Sequence, residues 1–232
     1  KLKTKHHIIV ITIISILIII YLITNSKSKK KIVLRAINKD IILNYNDIFP
    51  LKKYKFYNFE LYGPNTYKYF NEFYGAEYMK KASRKYDKEK PFKIKNFLPA
   101  SLKINKRNKG CTKKTKRCIF WSKKNYMIPP CCANHLTEIL YKTSKILEKN
   151  NIDYFIYWGS LLGSIRHGGI IPWDTDADIY ILDKDIYKLI SIKTEFEKEG
   201  FQFITENNHF FRINYSNVNK LHLDIFTCYD SK

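Results

Sequence analysis

From residue 135 onward the apolar positions fall into clear periods. In HLTEILYKTSKILEKN, Leu136, Ile139, Leu140, Thr143, Ile146 and Leu147 recur three and four residues apart, the spacing of one face of an α-helix. IDYFIYW is a short, nearly continuous apolar run and reads as a strand. GSLLGSIRH reads as a short helix opened by Gly159, DADIYIL as a second strand, and KDIYKLISIKTEFEKEG as a helix closed by Gly200. FQFITE, HFFRINYS and KLHLDIF read as three further strands. The order helix, strand, helix, strand, helix, strand, strand, strand predicts a small mixed sheet with helices on one side, an α/β (α+β) layer fold.

Upstream of residue 135 the pattern changes character. An uncharged run, Ile8 to Thr24, stands between lysines. Its length is near the lower end of the roughly 17–25 residues that a membrane helix needs, and no small-x-small cleavage site follows. The run therefore predicts an uncleaved, single-pass transmembrane helix over about 8–24. Lys1, Lys3 and Lys5 precede it, while Lys27, Lys29, Lys30, Lys31 and Arg35 follow. The positive-inside rule alone would leave the following chain in the cytoplasm, but so lysine-rich a sequence blunts that rule. Residues 27–108, rich in Lys, Tyr and Phe, show no long period and read as a stem. Residues 109–134 form a turn-rich, cysteine-bearing segment, and residues 135–232 form the regular, periodic core.

Composition adds two constraints. Of 232 residues, 45% are hydrophobic and 16% aromatic, so the chain can bury a core. The formal net charge of +21 would ordinarily suggest nucleic acid. Arginine is rare, however, and the lysines are scattered among abundant Ile, Asn and Tyr, the mark of an AT-rich genome. No nucleic-acid partner is expected.

The chemistry concentrates in PWDTDADIYI. Asp174, Asp176 and Asp178 are spaced two apart, and residues two apart on a strand share a face. Carboxylates so placed repel one another unless a cation shares them, and an all-oxygen set suits Mg²⁺ or Mn²⁺. Asp224 sits in the otherwise apolar LHLDIF, an unlikely place for a charge without a partner. Gly159 and Ser160 open a helix, whose N-terminus offers backbone N–H groups to phosphate. Arg166 and His167 follow in the same unit. Together these features point to a metal–phosphate site; the competing reading is an exposed acidic turn.

Cys111, Cys118, Cys131 and Cys132 form a C-x6-C-x12-CC cluster, with Cys228 apart from it. Four thiolates could hold one structural Zn²⁺ or form two disulfides, and the spacing alone leaves both open. The sequon Asn214-Tyr215-Ser216 lies in an expected strand and is expected to go unused.

GSLLGSIRHGGIIPWDTDADIYI and FFRINYSNVNKLHLDIF, with PPCC upstream, resemble the signature blocks of the LicD family, in its fukutin-related branch, over about residues 110–226. The resemblance implies a nucleotidyltransferase-like fold, with Asp176, Asp178 and Asp224 as the metal carboxylates and Asp174 as their acidic neighbour. It implies zinc at the four cysteines, and donor contacts at Gly159, Ser160, Arg166 and His167. It also implies transfer of ribitol 5-phosphate from CDP-ribitol to a glycan acceptor on a glycoprotein, in a Golgi (or ER) membrane with the catalytic part lumenal. Other LicD proteins imply phosphocholine transfer. Family members continue well past the third aspartate, so the C-terminal part is expected to be incomplete, and an inactive scaffold is a further reading.

Overall fold

A computed structural model describes residues 12–21, 30–82, 92–93, 110–117, 128 and 130–231. Residues 12–21 are helical (α1). Ten residues rise only about 15 Å, half of the roughly 30 Å hydrocarbon core of a bilayer. The remainder of the expected apolar run, 8–11 and 22–24, lies outside the described residues. The expected transmembrane helix is therefore corrected: among the described residues no helix is long and apolar enough to cross a membrane.

The strands that follow α1 are β1 (Lys31–Leu34), β2 (Ile41–Asn44), β3 (Lys52–Phe56), β4 (Phe59–Gly63), β5 (Lys81–Ala82) and β6 (Phe92–Lys93). Short helices α2 (Tyr45–Ile48) and α3 (Phe70–Tyr74) lie among them. Helix α4 (Pro130–Lys149) leads to β7 (Tyr154–Ile156), α5 (Trp158–His167) and β8 (Asp176–Leu182). A 3₁₀ turn at Asp183–Asp185, α6 (Ile186–Ser191) and α7 (Lys193–Lys198) then precede β9 (Gln202–Asn207), β10 (Phe210–Asn214) and β11 (His222–Ser231).

Seven strands form one mixed sheet around β11. Along one edge β11 pairs in parallel with β8, from His222↔Asp176 to Cys228↔Leu182. Along the other it pairs antiparallel with β10 over its first half and with β1 over its last four residues. β7 extends the sheet beyond β8, β9 beyond β10, and β2 beyond β1.

The segment expected as a stem thus supplies two strands of the sheet. Its short elements lack the length for a visible period, but their apolar residues enter the core, with Ile32, Leu34, Ile48, Phe56 and Phe70 fully buried. The β3–β4 hairpin is held to the C-terminal part through Ser164 Oγ, which donates to the Lys55 carbonyl at 2.7 Å.

Helix α4 buries Leu136, Ile139, Leu140, Thr143, Ile146 and Leu147, the six positions of the sequence pattern. It begins earlier than the pattern does. Pro130 is its first residue, a position where the missing N–H costs nothing, so Cys131 and Cys132 lie in its first turn. The single helix expected over 184–200 is broken into a 3₁₀ turn, α6 and α7, with Ile192 between the two helices at φ −95°, ψ 11°. Gly200, at φ +75°, follows α7, as a left-handed C-terminal residue should.

Candidate active site

Parallel register between β8 and β11 assembles the acidic face. Asp176 stands opposite His222, and Asp178 opposite Asp224. Because side chains alternate along a strand, these four share one face while Ala177, Ile179, Leu223 and Ile225 are buried on the other. The ligand atoms of Asp176, His222 and Asp224 lie within 4.8 Å of one another. Asp178 is not of that trio, yet the charges of Asp176 and Asp224 bear on it.

The turn from β7 into α5 fixes Asp178. The Tyr157 N–H bonds the Asp178 carbonyl at 3.3 Å, and the Asp178 N–H donates to Ser160 Oγ at 2.8 Å. The Gly159 backbone works against the rise of the Asp178 carboxyl. Ser160, expected with Gly159 to seat donor phosphate, is thus bound to the aspartate strand. Trp158 sits between them and β7 at φ +44°, a costly conformation for a bulky residue and of the kind that clusters at functional sites. A Cβ on Gly159 would collide with the Asp174 carboxylate, so only glycine lets Asp174 lie against the start of α5.

The electrostatics of the cluster are those of crowded acids. Burial, then the Asp176 charge, pushes Asp174 up to about 8, against a backbone hydrogen bond from Thr175. Asp178 is held well above the usual carboxylate range by burial and by Asp176, Asp174 and Asp224. Asp176 is raised by burial, with His222 opposing. Acids that resist ionisation together are suited to a shared divalent cation. The residues present thus fit a hard metal ion.

Asp224 has a second attachment that the sequence did not suggest. Arg212 on β10, its cross-strand partner, grips it with Nε to Oδ1 at 2.7 Å and Nη2 to Oδ2 at 3.0 Å. A lone basic residue in FFRINYS carries no periodic signal; only the register reveals it. His222 and Arg117 were missed for the same reason. Arg117, from the cysteine segment, bears electrostatically on Asp176 and donates to the Lys220 carbonyl at 3.3 Å.

Arg166 and His167 lie at the far end of α5. Arg166 donates through Nε to His167 Nε2 at 2.9 Å and through Nη1 to the Tyr78 carbonyl at 2.7 Å. Its charge reaches Asp174, while burial lowers its pKa to about 10. Burial and the neighbouring guanidinium lower His167 to about 4, so its ring is neutral and accepts from Arg166.

The cysteines converge without bonding covalently. Cys111 Sγ stands 3.3 Å from Cys131 Sγ and 3.5 Å from Cys132 Sγ, and 3.9 Å from His135 Nδ1. Three sulfurs gathered at one point fit a tetrahedral thiolate site. Cys118 lies outside the described residues. Cys228 is buried in β11 with its Sγ 3.4 Å from the Ile181 carbonyl, and Asn214 and Ser216 of the sequon are buried as well.

A mixed sheet with Gly159 and Ser160 in the first turn of α5 beside a DxD strand, and an Asp on the neighbouring strand, is the arrangement that the resemblance to a nucleotidyltransferase-like fold implies. Residues 151–232 match the family model described as LicD/FKTN/FKRP, nucleotidyltransferase domain. The human ribitol 5-phosphate transferase FKRP is 34% identical over 134 residues, covering 52% of this chain and 27% of the relative. An uncharacterized protein of Rickettsia prowazekii is 38% identical over 109 residues, 47% of this chain and 39% of its own length. The lipopolysaccharide cholinephosphotransferase LicD of Haemophilus influenzae is 36% identical over 47 residues, 20% of this chain and 18% of the relative. The chain spans about a quarter of the length of the ribitol phosphate transferase it matches.

Proposed function

We propose that the chain is a metal-dependent transferase that moves ribitol 5-phosphate from CDP-ribitol to a glycan hydroxyl, with the Golgi lumen as its working compartment. The observation that carries the reading is the in-register pairing of Asp176 and Asp178 on β8 with His222 and Asp224 on β11, where burial and neighbouring charges raise Asp174 and Asp178. The 134-residue similarity to a ribitol 5-phosphate transferase supports the donor. Phosphocholine transfer is the second reading, favoured by the shorter match to the cholinephosphotransferase.

In the proposed reaction the acceptor oxygen attacks the phosphorus that bears ribitol, a new P–O bond forms, and the P–O bond to CMP breaks. Asp176, Asp178 and Asp224 would hold Mg²⁺ or Mn²⁺. Such a cation neutralises charge on the transferring phosphoryl group. Arg117 and Arg166, both within electrostatic reach of the aspartates, would attract the donor diphosphate. Asp174, whose proton affinity lies near neutrality, suits a general base that takes the hydroxyl proton; Asp224, with both oxygens engaged by Arg212, suits positioning. Cys111, Cys131 and Cys132, with Cys118, would hold a structural Zn²⁺ that ties the cysteine segment to α4.

Purified protein incubated with CDP-ribitol, CDP-choline and CDP-glycerol, each with an acceptor glycan, tests the reading by CMP release. Faster release from CDP-ribitol supports it. Faster release from CDP-choline transfers the assignment to the second reading, and no release from any donor sinks both.

A further inference from the structure

We propose that His222 Nε2 is a direct ligand of the cation held by the aspartates, and that this nitrogen biases the site away from Mg²⁺ toward Mn²⁺ and later transition ions. The inference rests on the metal-dependent reading above and adds a donor atom that an all-oxygen set lacks.

His222 opens β11 opposite Asp176 and, two residues before Asp224, shares its face. His222 Nδ1 lies 3.0 Å from the Lys220 carbonyl oxygen. A carbonyl only accepts, so Nδ1 carries the hydrogen. The other nitrogen, Nε2, stands 4.0 Å from Asp176 Oδ2 and 3.9 Å from Asp224 Oδ2. These separations are too long for hydrogen bonds. They are the separations of atoms sharing one ion: ligands about 2.1 Å from a cation stand roughly 3–4.2 Å from each other. A ring whose second nitrogen is tied to a backbone carbonyl is the usual support of a metal-bound histidine. The ring is mostly enclosed, with 13% of its side chain exposed, so its orientation is held by packing as well.

The chemical consequence follows from ligand preference. Carboxylate and water suit Mg²⁺ and Mn²⁺ alike, whereas imidazole favours transition ions, in the order Mn²⁺ below Fe²⁺ below Co²⁺. One nitrogen among the oxygens should therefore separate Mn²⁺ from Mg²⁺ where carboxylates alone would not.

The test uses the full chain with Mn²⁺ as the probe. Pulsed electron paramagnetic resonance of bound Mn²⁺ should show coupling to a nitrogen, and the coupling should change to the ¹⁵N pattern when histidine is ¹⁵N-labelled. In His222→Gln and His222→Asn, checked for folding by melting in EDTA, the coupling should vanish. Mn²⁺ affinity should fall about tenfold or more, while Mg²⁺ affinity, read by competition, should change less. Mn²⁺ bound without nitrogen coupling leaves the metal site standing and overturns the ligand assignment. No Mn²⁺ binding overturns both. If neither variant folds, the labelled wild-type spectrum decides alone.

Discussion

Arg212 closes a two-point grip on Asp224, from Nε to Oδ1 at 2.7 Å and from Nη2 to Oδ2 at 3.0 Å, across adjacent strands. The carboxylate is nearly buried and the guanidinium about three-quarters so, with 6% and 28% of the two side chains exposed. Without a partner, Asp224 would be an uncompensated buried charge. Arg212→Gln should therefore destabilise the fold by on the order of 3 kcal/mol, a fall in melting temperature of about 6–12 °C for a chain of this size. Arg212→Lys should rescue only part, since an ammonium cannot offer the planar fork. Adding Asp224→Asn to Arg212→Gln should recover stability in a double-mutant cycle; full additivity of the two losses would show that the pair is not coupled.

Gly159 lies against Asp174 so closely that a Cβ would overlap the carboxylate. Gly159→Ala should displace Asp174 and the start of α5 while leaving the sheet intact. CMP release should fall about a hundredfold, the usual cost of roughly 1 Å of misplacement, with an unchanged far-ultraviolet spectrum. Wild-type turnover in this variant would show that the close approach has no bearing on the reaction.

Much of this was legible in the sequence because it rests on period. The two-residue spacing of Asp176 and Asp178, and the six apolar positions of α4, foretell faces that the structure has. The membrane-spanning helix is corrected: of the apolar run only residues 12–21 are described, and among the described residues no helix is long and apolar enough to cross a membrane. The role of residues 31–44 was invisible for another reason: strands of four residues carry no readable period, and their place in the sheet is set by pairing with β11. Arg212 and His222 were missed because register, rather than local pattern, makes them neighbours of the aspartates. Ser160 and Gly159 stood out as a helix opening and lie in the first turn of α5, which Trp158 begins, but the hydrogen bond between Ser160 and Asp178 depends on β8 running alongside.

The acid cluster gives the metal-free protein a definite pH dependence. Asp174, near 3.8 when unfolded and about 8 when folded, binds its proton more tightly in the native state. The native state then holds more protons between those values, and stability falls as pH rises through that window. In EDTA the melting temperature should drop between about pH 5 and pH 8, and Asp174→Asn should flatten the slope. Mg²⁺ should flatten it also, by stabilising the ionised form. A slope unchanged by both would remove the electrostatic strain from the account.

The three converging thiols predict a metal that stabilises the fold. Purified protein should carry about one zinc per chain. Cys131→Ser or Cys132→Ser should lose it and melt several degrees lower, since structural zinc contributes directly to folding. Absence of zinc, with disulfides in a non-reducing peptide map, would overturn this assignment.

In the proposed reaction Asp176 and Asp178 are charges that hold a cation, and one measurement bears on that most directly. CMP release from CDP-ribitol should be followed in wild type, Asp176→Asn and Asp178→Asn, each with and without Mg²⁺ or Mn²⁺. The substitutions keep the volume and remove the charge. Wild type should require the cation, and each variant should lose about two to three orders of magnitude in rate, as when one electrostatic stabiliser of a transition state is removed. The cation should raise the melting temperature of wild type and leave the variants nearly unchanged. Equal rates in all three proteins, or equal stabilisation by the cation, would contradict the metal-dependent transferase.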